Sequence, residues 1–167
     1  MNSNRIFSNN LNQYSPRLDY FLKTLGISRP EDREDLVQDI LAKAVRSQES
    51  YHGGFAFSTW LYTIARRTAV DFLRKKQPVP VSYEDDYPSA FLKPEECLLR
   101  EEERLFIRDF LSSLKSEQRQ IAYLRYFENF PLKKIALVLG LPEGTVKYHL
   151  FEIKRQLKEA WKLYETS

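Results

Sequence analysis

Residues 132–150 read LKKIALVLGLPEGTVKYHL, and this stretch decides the fold. Ile135, Ala136 and Leu139 fall on one face of a short helix that Pro131 can open. Gly140 can take the positive φ that a helix end requires, and Gly140-Leu141-Pro142 ends the segment. A long last helix, Glu143–Tyr164, then places Val146, Leu150, Ile153 and Leu157 on its inner face. Ala136 is small where the two helices would cross closely. The pattern predicts a helix-turn-helix, whose second helix enters a DNA major groove N-terminus first. Its outward residues would be Glu143, Thr145, Lys147, Tyr148, His149 and Glu152. An ordinary helical hairpin within a core has the same spacing, so other parts of the chain must separate the two readings.

The rest of the chain reads as helix interrupted at few places. It has only five glycines. Upstream of residue 132, Ser116 is a candidate cap for a helix over Glu117–Phe127, preceded by a helix over Glu95–Leu114 whose acidic start suits the helix dipole. Before these lies a stretch from Gln77 through Pro78, Pro80, Pro88 and Pro94, with Glu84-Asp85-Asp86 and no helical period, which reads as an acidic linker. Three more helices precede it. One covers roughly Leu11–Leu25. The next follows Pro30 and carries Leu36, Val37, Ile40, Leu41, Ala44 and Val45. The third follows Phe57, with Ser58 as expected N-cap, and carries Trp60, Leu61, Ile64, Ala65, Thr68, Ala69, Phe72 and Leu73 as one wide apolar stripe. The expected fold is all-α: two small helical domains, residues 1–77 and 95–167, joined by an extended linker over 78–94.

Composition narrows the function. The 167 residues are 29% charged and 43% hydrophobic, a globular balance, with a net charge of only +3. Any basic patch must be local. No apolar run is long enough for a membrane span, and MNSNRIFSNN lacks the apolar core of a secretory signal. One cysteine, Cys97, cannot form an internal disulfide, and with two histidines it makes no metal cluster. No metal or cofactor is expected. There is no Gly-rich phosphate loop, no histidine pair at helical spacing and no nucleophile with a base, so no catalytic site is expected. The carboxylates read mainly as solvated helix surface.

The first domain carries a second nucleic-acid signal. Arg66, Arg67, Arg74, Lys75 and Lys76 lie within eleven residues, opposed only by Asp71. Just upstream, Tyr51, Phe55, Phe57, Trp60 and Tyr62 surround Gly53-Gly54. Cations track a phosphate backbone and aromatic faces accept unstacked bases, so a loop of this kind beside a basic helix suits single-stranded DNA. The competing reading makes the aromatics core and the basic run a helix end. It is the expected reading for Trp60, whereas Phe57 and the loop Tyr51–Ala56 are expected to be functional.

EDREDLVQDILAKAV, FSTWLYTIARRTAVDFLRKK, LSSLKSEQRQIAYLRYFENF and IALVLGLPEGTVKYHL occur in that order. Together they resemble a bacterial sigma factor of the sigma-70 family, in the extracytoplasmic-function (ECF) group, from about Leu11 to Lys162 except the linker. The resemblance implies a cytoplasmic transcription initiation factor whose partners are core RNA polymerase and promoter DNA, with an anti-sigma factor expected as well. Region 2, the first domain, would dock on the clamp of the largest polymerase subunit through Asp35, Gln38, Asp39 and Lys43. It would also capture the single-stranded −10 element through Tyr51, Phe55, Phe57, Arg66, Arg67, Val70 and Arg74. Region 4, the second domain, would grip the β flap and read the duplex −35 element through Arg125, Lys134, Thr145, Lys147, Tyr148, His149 and Glu152. Phosphoryl transfer would belong to the polymerase, so the chain itself is not expected to be an enzyme.

The charge distribution fits this division. Residues 84–103 hold eight acidic and two basic side chains, a net of −6, suited to a basic polymerase channel. The chain also departs from the family pattern. Arg67 stands where a small amide is common, and Lys133-Lys134 replace a usually acidic pair. His149, Phe151 and Glu152 stand where Arg, His and Arg are common. Glu152 either accepts from a cytosine amino group or repels the backbone. Two other functions compete: a free-standing helix-turn-helix regulator, which wants a dimer interface or ligand pocket, and a sigma-like adaptor or decoy without initiation activity.

Overall fold

The computed structural model describes residues 11–51, 53–54, 56–76 and 101–166. The linker over 78–94, Phe55 and the helix start expected at Glu95 lie outside them. Seven α-helices, and no strands, occur among the described residues. They are α1 Ser15–Thr24, α2 Pro30–Arg46, α3 Phe57–Lys75, α4 Glu101–Ser113, α5 Ser116–Ala122, α6 Leu132–Leu139 and α7 Glu143–Glu165.

Each helix follows from its local sequence. Proline sits in the first turn of α1 and of α2, where its missing N–H costs nothing. Glu31 and Asp32 open α2, and Lys43 and Arg46 close it, both matching the dipole. α3 starts two residues earlier than a Ser58 cap implies. Ala56 is its N-cap, no side chain caps it, and Ser58 lies inside the helix. The Ser116 cap is also corrected. Ser116 is the first residue of α5, and its hydroxyl donates to the Thr24 carbonyl at 3.1 Å. Gln118 Oε1 instead accepts the Lys115 N–H at 3.3 Å, satisfying one of the donors left over at the helix start.

The helix expected over Glu117–Phe127 changes pitch partway. After Ala122 the backbone widens into a π-turn over Tyr123–Phe127. The chain then reverses at Asn129, with φ 55°, and the Phe130 N–H closes on the Leu124 carbonyl at 2.9 Å. Such single π-turns are rare interruptions of α-helices and occur frequently at functional sites. Here the turn stacks Tyr123 on Phe127, 5.7 Å between centroids, and leaves Glu128 buried.

α1, α2 and α3 pack as one unit around Leu18, Phe21, Leu22, Ile40, Leu61 and Ala65. α5, α6 and α7 pack as another around Ile121, Leu124, Ile135, Val146 and Ile153, with α4 laid along α7. The two units share one continuous hydrophobic core: α3 lies against α6 and α1 against α5. Each fully buried side chain of this size contributes about 1.5–3 kcal/mol, so the contact between the units is part of what holds the molecule in this arrangement.

Candidate polymerase and nucleic-acid interfaces

The helix-turn-helix forms as the sequence predicts. Ile135, Ala136, Val138 and Leu139 are buried on α6. Gly140 ends that helix at φ 65° and ψ 35°, and the Leu141 N–H reaches back to the Ala136 carbonyl at 3.0 Å. This left-handed turn is inexpensive only for glycine and sets the angle at which α7 leaves. Val146, Leu150 and Ile153 then face inward.

The outward face of α7 differs from the expected one. Lys147 is exposed and Tyr148 is 59% exposed, as predicted. Thr145 and Lys134 are half-buried. His149 turns away from the groove face: its Nε2 lies 2.8 Å from Glu117 Oε1 on α5. Arg125 is exposed, and its Nη1 donates to the Phe130 carbonyl at 3.0 Å. Glu152 Oε2 accepts from Arg155 at 2.9 Å, and Arg155 also reaches Glu159 at 2.8 Å. The Arg155 hydrogen bond holds the Glu152 carboxyl below the usual carboxylate range. Phe151, not among the expected contacts, is 65% exposed beside them. The sequence had flagged it only as a departure from a pattern.

On α2, Asp35 and Gln38 are exposed, and Asp39 and Lys43 are half-buried. At spacings of three and four residues they share one face, opposite the buried Leu36, Val37, Ile40 and Ala44. Lys43 Nζ lies 2.8 Å from Asp39 Oδ2 and donates to the Thr68 hydroxyl at 3.3 Å. The lysine is thereby held over α3, leaving Asp35 and Gln38 as the free end of the face.

The expected −10 residues divide into two groups. Phe57 is half-buried in a ring cluster, 5.8 Å from Tyr14, 5.8 Å from Tyr51 and 5.6 Å from Trp60. Trp60 is half-buried and joins the same cluster. The Tyr51 ring lies over the start of α3 from the loop that carries Gly53, where φ is 70°. Arg67 and Arg74 are exposed and Val70 half-buried. Arg66 faces the other helical unit, donating from Nε to Gln120 Oε1 at 3.2 Å. Burial lowers its pKa, partly offset by the Glu117 charge.

Two features were not found from the sequence. One is a groove of about 520 Å³ between α4 and α7, lined by Leu105, Phe106, Phe110, Ala160 and Tyr164, with Glu102 and Asp109 at its rim. Phe106 packs edge-on against Trp161 at 5.2 Å. The other is a buried polar cluster between the helical units. Glu128 has a side chain only 1% exposed and takes both ends of the Arg17 guanidinium, Nε to Oε1 at 3.0 Å and Nη2 to Oε2. Tyr62 donates to Glu128 Oε1 at 2.7 Å, and the Tyr123 hydroxyl lies 2.8 Å from the same oxygen. Burial pushes both tyrosine hydroxyls above their ordinary value, reinforced by the carboxylate. Burial lowers the Arg17 pKa, but the Glu128 hydrogen bond and charge outweigh it and keep the guanidinium charged. The only sequence signal was one acidic residue inside an aromatic run, YLRYFENF.

Two family profiles match the chain in order. Sigma-70 region 2 matches residues 11–79, and Sigma-70, region 4 matches residues 106–157. The ECF RNA polymerase sigma-E factor of Escherichia coli (strain K12) is 31% identical over 137 residues, covering 75% of this chain and 72% of its own. The RNA polymerase sigma factor SigV of Bacillus subtilis (strain 168) is 31% identical over 140 residues, covering 83% and 81%. Among solved structures, the sigma factor RpoE in complex with the anti-sigma factor NepR from Bartonella quintana aligns at TM-score 0.66 and 25% identity, over 95% of this chain and 98% of that one. CnrH in complex with the cytosolic domain of CnrY shares the fold at TM-score 0.64 and 19% identity, over 97% and 91%.

Proposed function

Because the chain belongs to the sigma-70 family, in its ECF group, and is an RNA polymerase sigma factor, we propose how its surfaces divide that work. Residues 1–77 act as region 2 and residues 95–167 as region 4, with 78–94 linking them. Asp35, Gln38 and Asp39 meet a basic clamp surface on the largest polymerase subunit. Exposed Arg67 and Arg74 on α3 follow the phosphates of the melted −10 strand. The ring cluster of Tyr51, Phe57 and Trp60 offers a stacking face for an unpaired base.

Lys147 and Tyr148 enter the −35 major groove at the start of α7, and Arg125 and Lys134 sit at its edge. His149 and Glu152 serve to position neighbours: the first braces α7 on α5, and the second holds Arg155. The apolar groove between α4 and α7 suits an apolar segment of the β flap. This protein supplies recognition and leaves phosphoryl transfer to the polymerase. It works in the cytoplasm, where polymerase and promoter are found; no described helix is long and apolar enough to cross a membrane. An anti-sigma partner is proposed from the NepR complex of the aligned relative.

The observation that carries this reading is the helix-turn-helix with its left-handed Gly140 turn, downstream of a separate basic helix bearing an aromatic cluster. A run-off transcription assay with core polymerase and the chain's own upstream region tests it. New start sites that require this chain are expected. Binding to polymerase with no new start site would favour the adaptor reading, and no binding would overturn both.

A further inference from the structure

We propose that the buried Glu128 carboxylate is a latch that holds regions 2 and 4 closed on each other, and that it must be released before the protein can engage polymerase and promoter. The inference rests on the sigma-factor reading for its consequence, though not for its geometry. Arg17 and Tyr62 reach Glu128 from α1 and α3, across separations of 111 and 66 residues. Tyr123 completes the set from region 4 and also sits 3.0 Å from the Arg17 carbonyl. A carboxylate this buried is tolerable only with its donors in place, and it regains water once the regions part. A contact of this kind favours one closed geometry and still leaves an opened state that is well solvated.

What the latch encloses gives it a function. In the closed arrangement Arg66, one of the cations expected to meet −10 DNA, is half-buried against Gln120. The hydroxyl of Ser116 on α5 bonds the end of α1 at 3.1 Å. The −10 and −35 elements are about 25 base pairs apart by name, roughly 80 Å of duplex at about 3.4 Å per base pair. A compact chain of this length has a radius of gyration of only about 15 Å. Two regions in hydrogen-bond contact therefore cannot occupy both elements. Opening is a required step, and Glu128 with its donors sets how readily it occurs.

The test measures the distance between regions in the full-length chain. Spin labels go on cysteines introduced at exposed Glu34 on α2 and Lys158 on α7, with Cys97→Ser removing the native thiol. The wild-type chain should give one short, narrow distance, and added core polymerase should lengthen it. Glu128→Gln removes the charge from one side; Arg17→Ala removes its partner from the other, in a separate helical unit. Both should shift most molecules to a long, broad distribution while keeping their helical circular dichroism. Both should also bind core polymerase at least fivefold more tightly, because only the open fraction is competent. If one variant loses helix content, the other decides the matter. A wild-type chain already open, variants that stay closed, or variants that open without tighter polymerase binding would each overturn the latch. Failure of the wild-type chain to bind polymerase at all would instead overturn the sigma-factor reading, since the distance measurement does not depend on polymerase.

Discussion

His149 Nε2 lies 2.8 Å from Glu117 Oε1, joining the recognition helix α7 to α5 through a side chain that sequence placed in the groove. Its side chain is 19% exposed, against 46% for that of Glu117. In the proposed division of roles His149 supports the recognition helix, and base reading falls to its exposed neighbours. His149→Ala is expected to lower stability by about 1 kcal/mol, the net worth of one side-chain hydrogen bond, and to leave −35 sequence preference unchanged. Tyr148→Ala should have the opposite profile, with unchanged stability and weakened −35 binding. Thermal melts and promoter competition assays with the polymerase-bound protein separate the two. A changed base preference in His149→Ala would return this residue to the groove.

Glu152 neutralises Arg155 within its own helix. Glu152→Gln, made together with Glu159→Gln because Glu159 also holds Arg155, should free the guanidinium to reach a phosphate. Promoter binding by the polymerase-bound protein should tighten, with its log–log salt slope steeper by about one unit and its sequence preference unchanged. Lost preference at a single base pair would make Glu152 a base reader after all.

Asp39 offers its carboxylate from the polar face of α2 while paired to Lys43. Asp39→Lys reverses the charge against a basic clamp and also places two lysines at i and i+4. It should weaken core-polymerase binding by about 2 kcal/mol or more. Asp39→Ala, which removes the charge without opposing it, should cost less. Equal binding by Asp39→Lys and wild type in a quantitative pull-down would remove this contact from the interface.

Phe57 is half-buried among Tyr14, Tyr51 and Trp60, so it has a packing role whatever else it does. Phe57→Ala should lower stability and also impair promoter opening, since a stacking face is worth about 1–3 kcal/mol per base. A pre-melted template should restore part of the activity if the ring acts in strand capture. Normal opening on duplex DNA, accompanied only by a lower melting temperature, would make Phe57 a core residue and no more.

Alkaline titration should report the closed state. Burial raises the Tyr62 and Tyr123 hydroxyls above their ordinary value, so the closed form holds protons that the opened form releases. The stability they contribute is complete below the ordinary tyrosine pKa and is lost as pH rises above it. Absorbance at 295 nm should show Tyr126 lagging the ordinary value and Tyr62 and Tyr123 lagging it most, the last two ionising together as the regions part. Simple titration of all ten tyrosines at the ordinary value would mean that these hydroxyls are not enclosed.

Local physics made most of the helices legible. The apolar period of LKKIALVLG, the need for a positive φ at Gly140 and the prolines at the starts of α1 and α2 each act within a few residues, and each element formed nearly where its sequence placed it. The polar face of α2 was legible for the same reason, since Asp35, Gln38 and Asp39 need only helical spacing to lie together. The caps at Ser58 and Ser116 were misplaced because a hydroxyl chooses among partners, and at Ser116 the Thr24 carbonyl, distant in sequence, was there to accept. The π-turn after Ala122, the inward turn of His149 and the burial of Glu128 were set by tertiary structure alone. Each depends on atoms supplied by another helix: Tyr20 beside Tyr123, Glu117 beside His149, Arg17 and Tyr62 around a carboxylate. Sequence determined that this chain carries two helical units with polymerase- and DNA-facing surfaces. Only the tertiary structure decided which of those side chains are free to act and which are held in the contact between the units, because hydrogen bonds and buried charges are satisfied by proximity in space, which no spacing along the chain encodes.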